Sequence, residues 1–149
     1  MSKKYEMTID GETVSADEYT NIRNPANTEE IVGQAPVGNK THLDKAIAAA
    51  EKAYASWRFS SDEDRVNACN AIAKVCSDNA EELAVLLTKE QGKPLGGLGS
   101  NFELGGCAGW AGYTATLALP DKVIEDSDER HVVQKRVPLD VVGSITPWN

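Results

Sequence analysis

The chain has 149 residues and carries 23 carboxylate side chains against 15 lysine and arginine residues, which gives a formal net charge of −8. This length is sufficient for one domain with a real hydrophobic core. The acidic balance disfavours a nucleic-acid partner, because a phosphate backbone requires a basic protein surface. The sequence has no run of about 18 apolar residues, so we expect no membrane-spanning segment. The first residues also lack the apolar stretch of a secretory signal.

The first 40 residues are predicted to form short scaffold strands. Apolar and polar residues alternate on both sides of the turn dipeptide Asp10-Gly11, which predicts a hairpin over residues 4–16. A second strand is predicted over residues 19–23, and a third is predicted to begin at Ile31. No functional residue is predicted in this part of the chain.

Between residues 41 and 76 the apolar residues change to helical spacing, which predicts two amphipathic helices. The first is predicted to be capped at Thr41, because Asp44 follows three residues later. The second is predicted to be capped at Ser61 and has three acidic residues in its first turn, where the helix dipole favours them. The residues predicted to be buried on these two helices are Leu43, Ile47, Ala50, Tyr54, Trp57, Val66, Cys69, Ile72, Ala73 and Cys76.

A third helix is predicted to start near Asp78 or Asn79, to bury three leucines, and to end at Gly92. The chain contains three cysteines, Cys69, Cys76 and Cys107, and their number is odd. Because they lack C-x-x-C spacing, we interpret them as small buried hydrophobic residues of a reduced, cytoplasmic protein.

From Lys122 the period of two returns, which predicts two strands on either side of an acidic turn at residues 126–129. This turn lacks the glycine and the terminal glutamate of an EF-hand loop, so we expect a solvated turn and no metal site. His131 is a lone histidine for which the sequence indicates no partner. We expect it to lie at the surface.

The last nine residues are predicted to form a strand over residues 141–146, which Pro147 ends because proline cannot donate to a sheet. Trp148 and Asn149 would then lie at the carboxyl end of the strand, where open α/β sheets bind ligands. The alternative interpretation is a strand that ends in an ordinary turn, with Trp148 as a core residue.

Three motifs, in this order, resemble those of the NAD(P)-dependent aldehyde dehydrogenase superfamily. They are R-N-P-A-N-T-E at residues 23–29, E-Q-G-K-P at residues 90–94, and V-G-S-I-T-P-W-N at residues 142–149. The resemblance covers the chain from about Tyr19 onward and corresponds to the amino-terminal third of such an enzyme. It implies an α/β fold with several helices and short strands, ending on the first parallel strand of the nucleotide-binding sheet.

The resemblance also implies a division of the chain into four parts. These are scaffold strands at residues 1–40, a helical region at 41–119, the start of an oligomerisation arm at 120–138, and the first nucleotide-domain strand at 139–149. A further helix is implied from about Ser100, although interior glycines oppose it. Asp140 stands where the family often has glycine, and aspartate tolerates a left-handed backbone.

For chemistry, the resemblance implies oxidation of an aldehyde to a carboxylic acid by NAD or NADP, through a thiohemiacetal on a cysteine. Asn149 falls on the asparagine that helps to hold the developing oxyanion. The residues that fall on the segment bordering the cofactor are Ile145, Thr146, Pro147 and Trp148. None of the three cysteines matches the nucleophile, so we expect the isolated chain to be inactive.

The expected partners of the complete enzyme are a small-molecule aldehyde and further copies of itself in a homo-oligomer. Because the chain stops inside its third motif, the sequence favours an incomplete fragment of a cytoplasmic dehydrogenase. The alternative is a short non-catalytic protein that associates with a full-length dehydrogenase through the strand edge at residues 131–138.

Overall fold

A computed structural model describes residues 3–147. The elements in chain order are β1 (Lys3–Lys4), β2 (Met7–Ile9), β3 (Glu12–Val14), β4 (Tyr19–Asn24), β5 (Asn27–Pro36), α1 (Lys40–Trp57), α2 (Asp62–Asp78), α3 (Ala80–Gln91), α4 (Ser100–Thr114), β6 (Lys122–Asp126) and β7 (His131–Gln134). This is the expected α/β fold of several helices with short strands. Within residues 3–147, no helix combines the length and the apolarity needed to cross a bilayer.

The predicted first hairpin is formed by β2 and β3, which pair antiparallel with Met7 opposite Val14. Its turn residues Asp10 and Gly11 both have positive φ, at 54° and 78°. Two successive positive φ angles are typical of a type I′ turn, whose twist matches that of the flanking strands. The hairpin is shorter than predicted, because Lys3 and Lys4 pair instead with β5, in parallel.

The next two strands, β4 and β5, pair antiparallel and join β1 in a three-stranded sheet of order β1-β5-β4. The prediction that β5 begins at Ile31 was wrong by four residues, since it begins at Asn27. The polar residues 27–30 gave no apolar signal. Their strand is set by the preceding turn, in which the Ala26 amide donates to Asn24 Oδ1 at 2.9 Å.

The amino-terminal cap of α1 differs from the prediction. The capping residue is Asn39, whose Oδ1 accepts from the His42 amide at 3.1 Å, while His42 Nδ1 accepts from the Asn39 amide at 3.2 Å. The predicted cap at Thr41 was therefore wrong. Asp44 instead forms an ion pair with Lys40 at 2.7 Å, one helical turn away.

The other predicted helix ends are confirmed. Ser61 caps α2 in a capping box with Asp64. Gly92 ends α3 in the left-handed region with φ 73°, a conformation that glycine adopts without steric cost. The helix implied from about Ser100 is α4, and it starts at that residue.

The packed part of the molecule consists of α4 against α2 and α3, with α3 lying on β4 and β5. Its buried residues include Ala84 of α3 and Leu104 and Ser100 of α4. By contrast, the only element with which α1 makes substantial contact is β2, among the described residues. The helices of the packed part therefore enclose the core that this chain forms.

The hydrophobic core is smaller than the length of the chain predicts. The total exposed area is 11468 Å², whereas a compact monomer of 16.0 kDa exposes roughly 7,400 Å². The predicted apolar stripes are only partly buried: Leu43 of α1 is 59% exposed and Trp57 is 51% exposed. The cysteines follow the same pattern, since Cys69 and Cys76 are half-buried and Cys107, predicted to be buried, is exposed.

The final described residues form a hairpin and then an irregular segment. β6 and β7 pair antiparallel around the predicted acidic turn. His131 lies at the surface, as expected, but has a partner, because its Nδ1 lies 3.0 Å from Asp126 Oδ1. Up to Pro147, no strand follows β7, so the predicted strand at residues 141–146 is not formed in this chain. A parallel strand requires neighbouring strands for its hydrogen bonds, and this segment has none.

Candidate functional site

The candidate site lies at the end of the chain, and the structure describes three of its five residues. Ile145, Thr146 and Pro147 follow an irregular path, and Ile145 is fully exposed. Trp148 and Asn149 lie outside the described residues. The described part of the site is therefore an exposed segment that the rest of the chain does not cover.

The turn that leads into this segment is centred on Asp140, at the position where the family often has glycine. Asp140 has φ 86°, and its Oδ1 accepts from the Val141 amide at 2.9 Å. The expectation that aspartate preserves this left-handed turn is confirmed. Its short side chain satisfies the next backbone amide, which offsets part of the strain of the conformation.

Two of the three sequence motifs meet in space, although 60 or more residues separate them. A Cβ added to Gly92 would lie 3.3 Å from the side chain of Pro25, so the end of α3 packs directly on the turn between β4 and β5. This close approach, together with the positive φ of Gly92, favours glycine at this position. The motifs at residues 23–29 and 90–94 therefore form one structural joint.

An ion pair closes the same joint. Lys89 Nζ lies 2.9 Å from Glu30 Oε1, and Asn24 Nδ2 donates to Glu30 Oε2 at 2.8 Å. The hydrogen bond from Asn24 and the one from Lys89 hold the pKa of Glu30 below its ordinary value. Sequence reasoning missed this cluster because Lys89 and Glu30 are far apart in the chain, and no local pattern links them.

The loop between α3 and α4 is fixed by a second cluster. Lys93 Nζ lies 2.5 Å from Glu103 Oε1, and the Lys93 side chain is only 15% exposed. Ser100, which is fully buried, shares a 2.8 Å hydrogen bond with Thr88. A Cβ on Gly99 would lie 1.8 Å from the Pro94 carbonyl oxygen. These contacts set the direction in which α4 leaves the loop.

Comparison with known proteins gives these motifs a family. The sequence profile of the aldehyde dehydrogenase family matches residues 13–149. The chain belongs to this family. It is 39% identical over 145 residues, 97% of its length, to a Pseudomonas protein described as a probable aldehyde dehydrogenase. It is 33% identical over 144 residues to the glutarate-semialdehyde dehydrogenase of Pseudomonas aeruginosa, covering 95% of this chain.

Solved dehydrogenase structures share the fold. Lactaldehyde dehydrogenase from Escherichia coli superposes with a TM-score of 0.77 at 27% identity, over 86% of this chain and 27% of that one. Betaine aldehyde dehydrogenase from Staphylococcus aureus, solved with NAD+, gives 0.74 at 29% identity, over 81% of this chain and 25% of that one. The fold corresponds to the amino-terminal part of the aldehyde dehydrogenase fold.

The chain is much shorter than its aldehyde dehydrogenase relatives. It spans 29% of the Pseudomonas relative and 30% of the glutarate-semialdehyde dehydrogenase. Most of the relatives' length, including whatever covers residues 141–147, has no counterpart in the described structure. The exposed candidate site and the exposed helix faces are consistent with that difference in length.

The described residues do not by themselves fit a dinucleotide. Ile145, Thr146 and Pro147 make no hydrogen bond with another described residue. No other described residue covers the side chain of Ile145. The family's cofactor would therefore need groups from beyond these residues. Residues 3–147 also contain no group of three His, Cys, Asp or Glu side chains arranged to hold a metal ion.

Proposed function

We propose that this chain forms the amino-terminal portion of an NAD(P)+-dependent aldehyde dehydrogenase, which oxidises a small aldehyde to a carboxylic acid. The observation that carries the proposal is the continuous family match over residues 13–149. The joint between the motifs at residues 23–29 and 90–94 supports it, because the structure gives these motifs a packing role. NAD or NADP is the expected cofactor, since solved relatives hold these nucleotides.

Asn149 is proposed as the residue of this chain that acts on the substrate. Its side-chain NH2 would donate to the aldehyde oxygen as that oxygen becomes negative. Ile145, Thr146, Pro147 and Trp148 are proposed to border the nucleotide. The exposure of Ile145 supports this role, because an apolar side chain left fully exposed here is available to contact a ligand or a further part of the enzyme.

The cysteine that forms the thiohemiacetal is proposed to lie outside this chain. Cys69 and Cys76 lie half-buried on α2, and Cys107 lies on the surface of α4. In the described structure, no hydrogen bond or ion pair from a lysine, arginine or histidine reaches any of these thiols. A nucleophilic thiol needs such a neighbour to lower its pKa. The chain alone is therefore proposed to be inactive and to be a part of a longer enzyme.

The remaining proposals concern organisation and place. Residues 120–138, which contain the β6–β7 hairpin, are proposed to begin an oligomerisation arm, and residues 139–149 to form the first strand of the nucleotide-binding sheet once neighbouring strands are present. A homo-oligomer is expected for the complete enzyme. The three free cysteines support a reducing compartment, for which the cytoplasm is proposed.

The test is a chimera in which residues 1–149 replace the matching segment of the 39%-identical Pseudomonas relative. The expected result is reduction of NAD+ or NADP+ with an aldehyde that the intact relative oxidises, measured by absorbance at 340 nm. The same assay on the chain alone is expected to match a boiled control. A folded chimera without activity would contradict the proposal, and so would activity of the chain alone in protein free of host dehydrogenases.

The alternative, a non-catalytic chain that associates with a full-length dehydrogenase, makes a different prediction. The chimera would be inactive, and the free chain would co-elute with the intact relative on size exclusion. The exposed hairpin at β6 and β7 is the edge that such a contact would use. Co-elution together with an inactive chimera would replace the proposed function with this one.

A further inference from the structure

From Leu104 to Tyr113 the helix α4 is apolar on all sides, but residues 3–147 cover only one of them. Its inner side contains Leu104, which is buried, and Gly112, where an added Cβ would lie 4.0 Å from Ala73 of α2. Its outer side carries a stripe at helical spacing: Phe102, Gly106, Gly109, Trp110 and Tyr113. A helix that is apolar all round is normally buried all round. The outer stripe of α4 therefore has no partner among residues 3–147.

The outer stripe forms a shaped surface. A groove of about 460 Å³ is lined by Gly106, Gly109, Trp110 and Tyr113. The two aromatic rings form its wall in a T-shaped arrangement, with centroids 6.2 Å apart and planes at 80°. Trp110 is 72% exposed. A large aromatic residue beside two glycines gives a notch with a raised edge, which can receive a ridge of side chains from another element.

The two glycines in the groove have no explanation inside the chain. A Cβ added to Gly106 or Gly109 would meet no atom within 4 Å. Glycine destabilises a helix interior relative to alanine, so two such positions need a compensating role. Close approach of another backbone is the role that absence of a side chain permits. Gly112, by comparison, faces α2 at ordinary contact distance.

We propose that the outer stripe of α4 is the docking surface for a helix from the carboxyl-terminal portion of the dehydrogenase, a proposal that rests on the proposed function. The relatives carry roughly 70% of their length beyond what this chain matches. The chain exposes roughly 4,000 Å² more than a compact monomer of its mass. This excess is larger than the ~800 Å² that each partner buries in a standard interface.

The test compares Gly109→Ala with Gly112→Ala in two contexts, the chain alone and the Pseudomonas chimera, by thermal unfolding. In the chain alone, Gly109→Ala is expected to raise the midpoint of thermal unfolding by about 2–4 °C. Alanine stabilises the helix, and its methyl group displaces no neighbouring atom. In the chimera the same change is expected to lower the midpoint, and Gly109→Leu to lower it further. Gly112→Ala is the matched control, and its effect is expected to have the same sign in both contexts.

The opposite sign of the Gly109 effect in the two contexts is the result that supports the proposal. Equal signs would overturn it, as would a chimera that fails to fold where the parent relative folds. If Gly109→Leu lowers the midpoint of the chain alone in a concentration-dependent way, the occupant is a second copy and the proposal is wrong. The unfolding readout is independent of activity, so a folded but inactive chimera would overturn the proposed function alone.

Discussion

Two regions of the molecule differ in how much of their sequence the chain itself explains. The inner unit consists of β4, β5, α2, α3 and α4, which pack together. The outer elements are the β2–β3 hairpin with α1, the β6–β7 hairpin, and residues 139–147. In the inner unit, several unusual residues have visible causes, such as Gly92 against Pro25, although Gly106 and Gly109 on the outer stripe of α4 meet no described neighbour. In the outer elements, large apolar side chains such as Leu43 and Ile145 face solvent.

The two regions are alike in their local structure and differ in the burial of their apolar side chains. Turns and caps are formed equally well in both regions: the turn at Asp10-Gly11 and the cap at Asn39 belong to the outer elements, and the cap at Ser61 belongs to the inner unit. These features depend on residues within four positions of each other. Burial of an apolar side chain depends on contacts with residues that are far away in the sequence. The outer elements lack such contacts. An apolar stripe without a partner therefore marks where the rest of a dehydrogenase is expected to pack.

The largest expected effect uses one leucine from each region. Leu104 of α4 is buried, whereas Leu43 of α1 is 59% exposed. Leu104→Ala is expected to lower the free energy of unfolding of the chain by about 2–5 kcal/mol, because it leaves a cavity. Leu43→Ala is the matched control and is expected to change it by at most about 0.5 kcal/mol. Urea unfolding of both variants is the measurement. Equal losses would show that α1 is buried in solution and that the two regions do not differ.

The next prediction concerns Asn149, which follows the outer segment of residues 139–147 in the sequence. In the active chimera, Asn149→Ala is expected to lower kcat by about 10²–10³, or roughly 2.7–4 kcal/mol, because one oxyanion donor is lost. Cofactor affinity should remain nearly unchanged, since the interaction is made in the transition state. Steady-state kinetics and a thermal melt are measured together. A normal kcat with a loss of about 1 kcal/mol in stability would make Asn149 a turn residue.

A smaller effect tests the loop at the centre of the inner unit. Gly99→Ala would place a Cβ 1.8 Å from the Pro94 carbonyl oxygen, whereas a Cβ at Gly96 in the same loop would meet no atom within 4 Å. Gly99→Ala is therefore expected to cost about 1–3 kcal/mol, and Gly96→Ala within about 0.5 kcal/mol of zero. Thermal unfolding of the two variants checks this. Similar midpoints would mean that the loop is looser than its contacts indicate.

Most of the helices and strands could be predicted from the sequence, because their signals are local. The αL position at Gly92 and the capping box at Ser61 follow from residue types at fixed spacing. Where local signals compete, prediction failed: Asn39 and Thr41 both can cap a helix, and the structure uses Asn39. The strand at residues 141–146 failed for a different reason, because a parallel strand is defined by neighbours that this chain does not supply.

The candidate site could be predicted only through motif resemblance. Residue types and spacing indicated that a ligand could lie at the end of a predicted strand. The same residue types also suit an ordinary turn, so they did not distinguish a ligand site from a turn. The Glu30–Lys89 ion pair could not be predicted from the sequence, because its two residues are 59 positions apart. Each of its residues directly adjoins one of the motifs, Glu30 after residues 23–29 and Lys89 before residues 90–94. The ion pair and the contact between Gly92 and Pro25 hold α3 on the β4–β5 turn. The role of Asn149 stays a prediction.

The smallest effect concerns the cap of α2, and its sign with pH can be worked out. Asp64 accepts from the Ser61 amide at 3.0 Å and from Ser61 Oγ at 2.7 Å, and the hydrogen bond from the Ser61 side chain is the main reason that the pKa of Asp64 lies below its ordinary value. A carboxyl whose pKa is lowered by folding stabilises the folded state above its unfolded pKa, near 3.8, and loses this contribution as the pH falls through the folded value. Ser61→Ala is therefore expected to cost about 1 kcal/mol at pH 7.

The gap in stability between wild type and Ser61→Ala should narrow as the pH falls through the lowered folded pKa of Asp64, because Asp64 then becomes protonated in both proteins. The control is the same pair in an Asp64→Asn background, where no group titrates at this cap and the gap should be the same at both pH values. Thermal midpoints at pH 7 and pH 3 give both gaps. An unchanged gap at low pH would mean that the Asp64 carboxylate does not contribute to the cap at Ser61.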